Sequence, residues 1–264
     1  MALPQQPSPP TDDVLSVEDL SKRFGGVSAV AGCSLSIQRG TITAIIGPNG
    51  AGKSTLMNLI GGLFPPDSGR ILFAGRDITA LPPHRRAELG LIRTFQISRE
   101  LAQLTVFENV VLAGQTDALE SPFAAFLRPR QVRREERQLG LRARALLERV
   151  GLFRLADEPA ASLSGGQKKL LELARALMLD PQLILLDEPA AGVSPPMVRE
   201  LARTIRDLRD EGLTIGLIEH DMELVADLAD RVHVLAEGSN LTSGSFREVT
   251  SDSRVVEAYL GIVA

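Results

Sequence analysis

Tryptophan is absent, tyrosine and cysteine occur once each, and aromatic residues make up only 4% of the 264 residues. So thin an aromatic complement argues against a nucleic-acid binder that stacks bases on aromatic platforms. Positive charge is not in excess either. The 29 basic and 33 acidic residues leave a net charge of −4, which argues against a protein that coats DNA. The lone cysteine, Cys33, excludes an intrachain disulfide and fits a reducing compartment. No apolar run in the sequence approaches the roughly 18–20 residues needed to span a bilayer. Residues 1–12, with four prolines among the first ten, lack a basic start and an apolar stretch. They are expected to form a solvated, flexible tail rather than a signal peptide. What is present is a hydrophobic fraction of 44%, enough for a sizeable core. These bounds predict a soluble, cytosolic and mostly globular chain.

Short apolar, β-branched runs alternate with helical stretches, a pattern that predicts an α/β protein with a mainly parallel sheet. Thr41–Ile46 reads as a buried strand that ends in a glycine, followed by a helix over Lys53–Leu63 closed by Gly61 and Gly62. Leu183–Leu186 and Thr214–Ile218 read as central strands because both of their faces are apolar. Val232–Leu235 adds a further strand. Val14–Val17 and Cys33–Ile37 alternate more and predict a smaller antiparallel layer. From Phe95 to about Leu170 the chain is helix-rich, and Arg128, Arg130, Arg133, Arg134, Arg137, Arg142 and Arg144 crowd one stretch. Such a run is usually a solvated helix face, and the functional alternative is docking on another subunit or on anionic lipid.

Gly47, Pro48, Asn49, Gly50, Ala51, Gly52, Lys53, Ser54 and Thr55 fit the pattern G-x-x-x-x-G-K-[ST] between a strand and a helix. Glycines there let backbone N–H groups turn inward around phosphate oxygens, and the helix N-terminus adds a positive dipole. Lys53 is placed to reach the β- and γ-phosphates, and Ser54 to offer its hydroxyl to Mg²⁺. By ordinary residue usage, a chance match in a chain of this length is on the order of 1%. A phosphate loop alone names no activity, since kinases and motor ATPases share it.

The strand Leu183–Leu186 runs into Asp187 and Glu188. Asp187 is delivered to a metal at the sheet's carboxyl edge, and Glu188 is a candidate general base for water. Ser164, Gly165, Gly166 and Gln167 precede a helical run over Lys168–Leu179 and form a second anion-binding nest. One nucleotide does not need two nests, so the second is expected to bind the γ-phosphate held by another subunit.

Taken together, the 47–55 loop, Gln96, the 163–167 element, the Asp187-Glu188 pair and His220 resemble the five motifs of ABC-transporter ATPase subunits. They stand in that family's order and cover about residues 14–262. Within the family, four stretches look like the branched-chain amino acid uptake subgroup of the LivG type. They are Arg93–Gln96, Ala190–Pro195, Ile218–Met222 and Ala258–Gly261, and the longer insertion over Gly114–Leu147 is similar too. Urea or amide uptake and lipopolysaccharide-export ATPases share several of these features.

The resemblance implies a P-loop NTPase fold with an antiparallel β layer and an inserted helical subdomain. It implies one ATPase domain over 13–264, with the core at about 13–94 and 175–264 and the helical subdomain at about 95–174. It also implies that Gln96 contacts Mg²⁺ and the attacking water and links them to a membrane partner. His220 would hold the γ-phosphate, Ser164 and Gly166 would contact it in trans, and Phe24 would stack on adenine. ATP and Mg²⁺ are the implied ligands, with Ser54, Gln96 and Asp187 toward the metal. Implied partners are transmembrane permease subunits, a second ATPase subunit and an extracytoplasmic solute-binding protein, with no nucleic acid. The chain would then sit at the cytoplasmic face of the membrane. Ser194 departs from the pattern, since the family usually has aspartate there and the subgroup asparagine. A soluble ABC ATPase acting on ribosomes or DNA is the rival reading, but it would carry two cassettes or a long coiled coil. A P-loop kinase would not need the 163–167 element.

Overall fold

The computed structural model describes residues 12–94, 100–115 and 129–260. The chain opens with two long strands, β1 (Asp13–Phe24) and β2 (Val27–Gln38), then β3 (Ile42–Ile46) and α1 (Lys53–Gly61). β4 (Ser68–Phe73), β5 (Arg76–Asp77), α2 (Pro83–Glu88) and β6 (Leu91–Arg93) follow. Helices α3 (Val106–Ala113), α4 (Pro129–Arg149) and α5 (Gly165–Leu177) lead to β7 (Leu183–Asp187), α6 (Pro195–Asp210) and β8 (Thr214–Ile218). The remainder is α7 (Met222–Leu228), β9 (Arg231–Ala236), β10 (Ser239–Gly244), α8 (Phe246–Thr250) and α9 (Ser253–Leu260).

Two sheets result. One is antiparallel, ordered β2-β1-β4-β5, and the other is ordered β10-β9-β3-β8-β7-β6. In the second, β9, β3, β8, β7 and β6 are mutually parallel and only β10 runs against its neighbour. The phosphate-loop strand β3 therefore lies inside the sheet, and Arg231–Val234 of β9 pairs directly with it. β3, β7 and β8 are buried at every residue, which is why they read as continuous apolar runs rather than alternating ones.

Successive side chains on a strand point to opposite faces, and β7 shows the consequence. Leu183 and Leu185 join a core shared with α1 and the antiparallel sheet, whereas Ile184 and Leu186 join one shared with α3, α4, α5 and α6. Helix α1 is thus packed on the β-layer side, and the helix-rich segment on the other.

Several boundaries differ from the sequence reading: β1 and β2 span 12 residues each, well past Val14–Val17 and Cys33–Ile37. Helix α1 stops at Gly61, because Gly62 adopts a left-handed φ of 79° and donates its N–H to the Asn58 and Leu59 carbonyls. Helix α5 starts at Gly165 rather than Lys168. Ser164 caps it, accepting from the Gln167 N–H (3.3 Å) while the Gln167 side chain accepts from the Ser164 N–H (2.8 Å). Strands β4, β5, β6 and β10 carried no periodic signal, being short or half-exposed.

Within α4, Arg133, Arg134, Arg137 and Arg144 are exposed, Arg142 bonds Asp180 and the Leu177 carbonyl, and Arg144 pairs with Glu148 (3.5 Å). In the described part of the run these four arginines are exposed, as a solvated face and a docking face both require. Among the described residues, no helix is long and apolar enough to cross a membrane.

Candidate active site

The site starts where β3 leaves the sheet. A Cβ on Gly47 would lie 2.2 Å from the Leu235 carbonyl oxygen, and one on Gly52 would lie 2.3 Å from that of Ala29. Gly52 also adopts a left-handed φ of 97°. Any side chain at either position would push the loop off the strands that clasp it. Gly52 gives α1 no side-chain cap, and the first turn holds no acid, so its N-terminal N–H groups and dipole are available to an anion. Ser54 is exposed beside them, as are Asn49 and Gly50, while Pro48 and Thr55 are half-buried and Ala51 is buried.

Lys53 is folded back over the loop, 5% exposed, and its Nζ donates to the carbonyls of Gly47 (2.8 Å) and Pro48 (3.0 Å). Burial pushes its pKa down, and the negative charges of Glu188 and Asp187 push back. The loop lysine and the acidic pair therefore share one electrostatic neighbourhood.

Asp187 ends β7 with only 4% exposure. Its Oδ2 accepts from Nη2 of Arg93 at 2.9 Å, and Nη1 of the same guanidinium donates to Oδ1 of Asn58 on α1 at 2.5 Å. Glu188 follows in a left-handed conformation (φ 48°), uncommon for a residue with a side chain. Its N–H bonds the Ile218 carbonyl at 2.9 Å, and its Oε1 lies 3.0 Å from Nε2 of His220. This twist takes Glu188 out of the line of β7 and toward His220, two residues past β8.

A buried acid organises both loops. Glu219, 3% exposed, accepts from the N–H of Ala190 (2.8 Å) and of His220 (3.1 Å). Burial raises its pKa, against the lowering effect of the backbone N–H groups of Ala190, His220 and Asp221. The loop after Glu188 and the turn carrying His220 are thereby fastened to one carboxylate.

The structure thus gathers Lys53, Asp187, Glu188 and His220 at the carboxyl edge of the parallel sheet, where ligands bind in open α/β folds. It does not add the Ser164–Gln167 element to that core side. Helices α1 and α5 pack into different cores on opposite faces of the sheet. Ser164 and Gly165 are exposed, and Gly166 is required by packing, since a Cβ there would meet the Met197 Cβ at 2.8 Å. Phe24, 48% exposed, stands edge-to-face on Phe64 (5.3 Å between centroids), with Lys22 Nζ 5.9 Å from its ring. Ser194 is the N-cap residue of α6, but its side chain makes no capping bond. Gln96 lies outside the described residues.

The donor set suits Mg²⁺. Among the described residues no three or more His, Cys, Asp or Glu side chains cluster as a metal cage. A buried carboxylate, Asp187, and an exposed hydroxyl, Ser54, are the oxygen donors a hard cation takes when phosphates and water complete its shell.

Sequence reasoning did not single out Arg93, Asn58 or Glu219. Glu219 left a trace, as an acid directly after a wholly apolar strand. Arg93 stood only inside the Arg93–Gln96 stretch and Asn58 nowhere, because their meaning depends on which strands become neighbours.

A glycine-clasped phosphate loop on an inner parallel strand, facing an acidic pair on a second strand, defines a P-loop nucleotide hydrolase. The family model described as ABC transporter matches residues 30–191, and the chain belongs to that family. It is similar to the probable branched-chain amino acid transport ATP-binding protein LivG of Methanocaldococcus jannaschii, with 38% identity over 95% of this chain and 98% of the relative. The high-affinity branched-chain amino acid transport ATP-binding protein LivG of Escherichia coli K12 is 38% identical, over 94% and 98% respectively. Two solved structures agree. The ADP conformation of an ATP-binding cassette of an ABC transporter superposes with a TM-score of 0.82 at 38% identity, covering 95% of this chain and 100% of that one. A nucleotide-free cassette gives 0.81 at 37%, covering 94% and 98%. The chain is an ABC-type ATPase, binding ATP and hydrolysing it in the service of transport.

Proposed function

We propose that this cassette powers the import of branched-chain amino acids through separate transmembrane permease subunits, fed by an extracytoplasmic solute-binding protein. It would work at the cytoplasmic face of the membrane, paired with a second ATPase subunit. The observation that carries the substrate class is similarity over nearly the whole chain to relatives named for that transport. The phosphate loop and acidic pair support a working rather than a degenerate site.

In this reading residues 13–264 form one ATPase domain with a helical subdomain at about 95–174. Residues 47–55 cradle the phosphates, with Lys53 released from Gly47 and Pro48 to reach the β- and γ-oxygens. Ser54, Asp187 and Gln96 would hold Mg²⁺, which would supply neutralisation of the phosphate charge. Glu188 takes the proton of the attacking water, and His220, hydrogen-bonded to it, orients the carboxylate and the γ-phosphate. Phe24 stacks on adenine by its exposed ring. The exposed N-terminus of α5, with Ser164, Gly165, Gly166 and Gln167, closes on the γ-phosphate of the partner's ATP. Loss of that phosphate removes the contact and reopens the dimer.

Glu188→Gln tests the mechanism. It should keep ATP binding while slowing hydrolysis by roughly 10²–10⁴-fold, because a general base is lost. The expected product is an ATP-stabilised dimer on size-exclusion chromatography, and a persistent monomer would overturn the closure step. Uptake of labelled leucine against labelled urea, with the co-purified permeases in vesicles, tests the substrate.

A further inference from the structure

We propose that Arg93 is a positioning residue for the metal-binding carboxylate, locking Asp187 to the phosphate-loop helix. The proposal rests on the reading of Asp187 as a metal ligand.

A carboxylate as buried as that of Asp187 needs a cationic partner. Lys53, the loop's own cation, is engaged with the Gly47 and Pro48 carbonyls. Arg93 takes the task from the neighbouring strand, with Nη2 on Asp187 at 2.9 Å and Nη1 on Asn58 at 2.5 Å. Both side chains of the ion pair are nearly sealed from water, at 11% and 5% exposure.

Helix α1 is shaped to admit this guanidinium. Asn58 supplies the acceptor, and three residues on, on the same face, Gly61 supplies clearance. A Cβ at Gly61 would lie 3.1 Å from Arg93 Cδ and 3.6 Å from its Nη1. The arrangement has a cost, since Nε of Arg93 is buried with no hydrogen-bond partner among the described residues. An unsatisfied buried donor is unfavourable, and an apolar side chain would avoid it. Pairing with Asp187 explains a cation at this position, but not why it is an arginine.

Its planar fork does. Two donors at fixed separation hold Asp187 and Asn58 at once, whereas lysine offers a single ammonium and cannot span both. One carboxylate oxygen is committed to Arg93, which sets the plane of the group and leaves the other for the metal's shell. Asn58 belongs to the helix that begins with Lys53 and Ser54. Strand β6, strand β7 and α1 are therefore fixed relative to one another through one side chain.

Mn²⁺ binding, followed by electron paramagnetic resonance on the full chain with a non-hydrolysable ATP analogue, tests this apart from turnover. Arg93→Met should weaken Mn²⁺ binding by about 10–100-fold, as loss of an outer-shell partner does, while analogue affinity in EDTA stays within about twofold. Arg93→Lys should recover part of the loss, and Asn58→Ala should show a smaller loss in the same direction. Unchanged or tighter Mn²⁺ binding by folded Arg93→Met overturns the proposal. So does a parallel fall in metal-free nucleotide affinity, which marks a merely structural role. If Arg93→Met does not fold, wild-type Mn²⁺ affinity in Asn58→Ala overturns it. Wild-type protein that binds the analogue without taking up Mn²⁺ instead refutes the reading of the site itself.

Discussion

Replacing Arg86 by methionine removes a guanidinium that is 1% exposed and donates to four backbone carbonyls. Nε reaches Leu81 (2.8 Å), Nη1 reaches Leu59 and Ile60 (2.7 Å each), and Nη2 reaches Thr79 (2.9 Å). Two of these acceptors belong to the last turn of α1, where carbonyls have no partner within the helix. Burial lowers the guanidinium's pKa to about 10, so it is still cationic at neutral pH and its bonds are charge-assisted. Methionine fills much of the volume, and the Leu59 carbonyl keeps the Gly62 N–H, but those of Ile60, Thr79 and Leu81 lose their donor at about 1–3 kcal/mol each. Relief of the buried charge offsets part of this, for a net loss of about 3–5 kcal/mol. At the 2–4 °C per kcal/mol usual for chains approaching this size, the midpoint should fall by roughly 6–20 °C. Arg86→Lys, with one donor centre, should fall between the two. Differential scanning fluorimetry at pH 7.5 reads the shift. A midpoint for Arg86→Met within about 2 °C of wild type, less than 1 kcal/mol, would mean that water satisfies those carbonyls and would refute the reasoning.

Two other groups give predictions of a different kind. Burial depresses the pKa of His233, whose Nε2 is 2.9 Å from the Ser36 carbonyl and whose Nδ1 is 3.3 Å from Nδ2 of Asn240. The folded state therefore binds a proton less readily than the unfolded chain, so this contribution is intact above about pH 6.5 and is lost as pH falls below it. Urea midpoints measured between pH 8 and 5.5 should decline less steeply in His233→Gln than in wild type, and identical slopes would contradict the assignment. Cys33 is fully buried, and its thiol is pushed up to about 11 by burial. An aromatic disulfide reagent should titrate no thiol in the native protein and one in guanidinium, while rapid native labelling would show that this part of the antiparallel layer opens readily.

Much of the site was legible because its chemistry is local. A phosphate loop needs its glycines, lysine and hydroxyl in consecutive order, and a buried parallel strand announces itself as a continuous apolar run. Gly47–Thr55 and Leu183–Glu188 satisfy both conditions within the sequence. Boundaries were less legible, because caps decide them. Helix α5 begins three residues before the apolar periodicity does, through the reciprocal bonds of Ser164 and Gln167. Strand β6 has three residues and exists by pairing with β7, so no window of sequence contains the reason for it.

What the sequence determined by itself was the class of chemistry, since backbone conformations and functional groups that act on phosphate are specified by residue type at fixed spacing. Its few aromatics, single cysteine and lack of a long apolar run narrowed the classes around that site. What only the tertiary structure decided was how separate motifs hold one another. Glu188 meets His220 because β7 and β8 are adjacent and φ of Glu188 is positive. Arg93 meets Asp187 and Asn58 because β6, β7 and α1 converge. Arg86 and Glu219 have no role assigned from the sequence and are buried in the fold, each bonded to backbone that lies far from it along the chain. The physical reason is common to all of them. A charged side chain is assigned its partner by burial, and burial is a property of the packed layers rather than of neighbours in sequence.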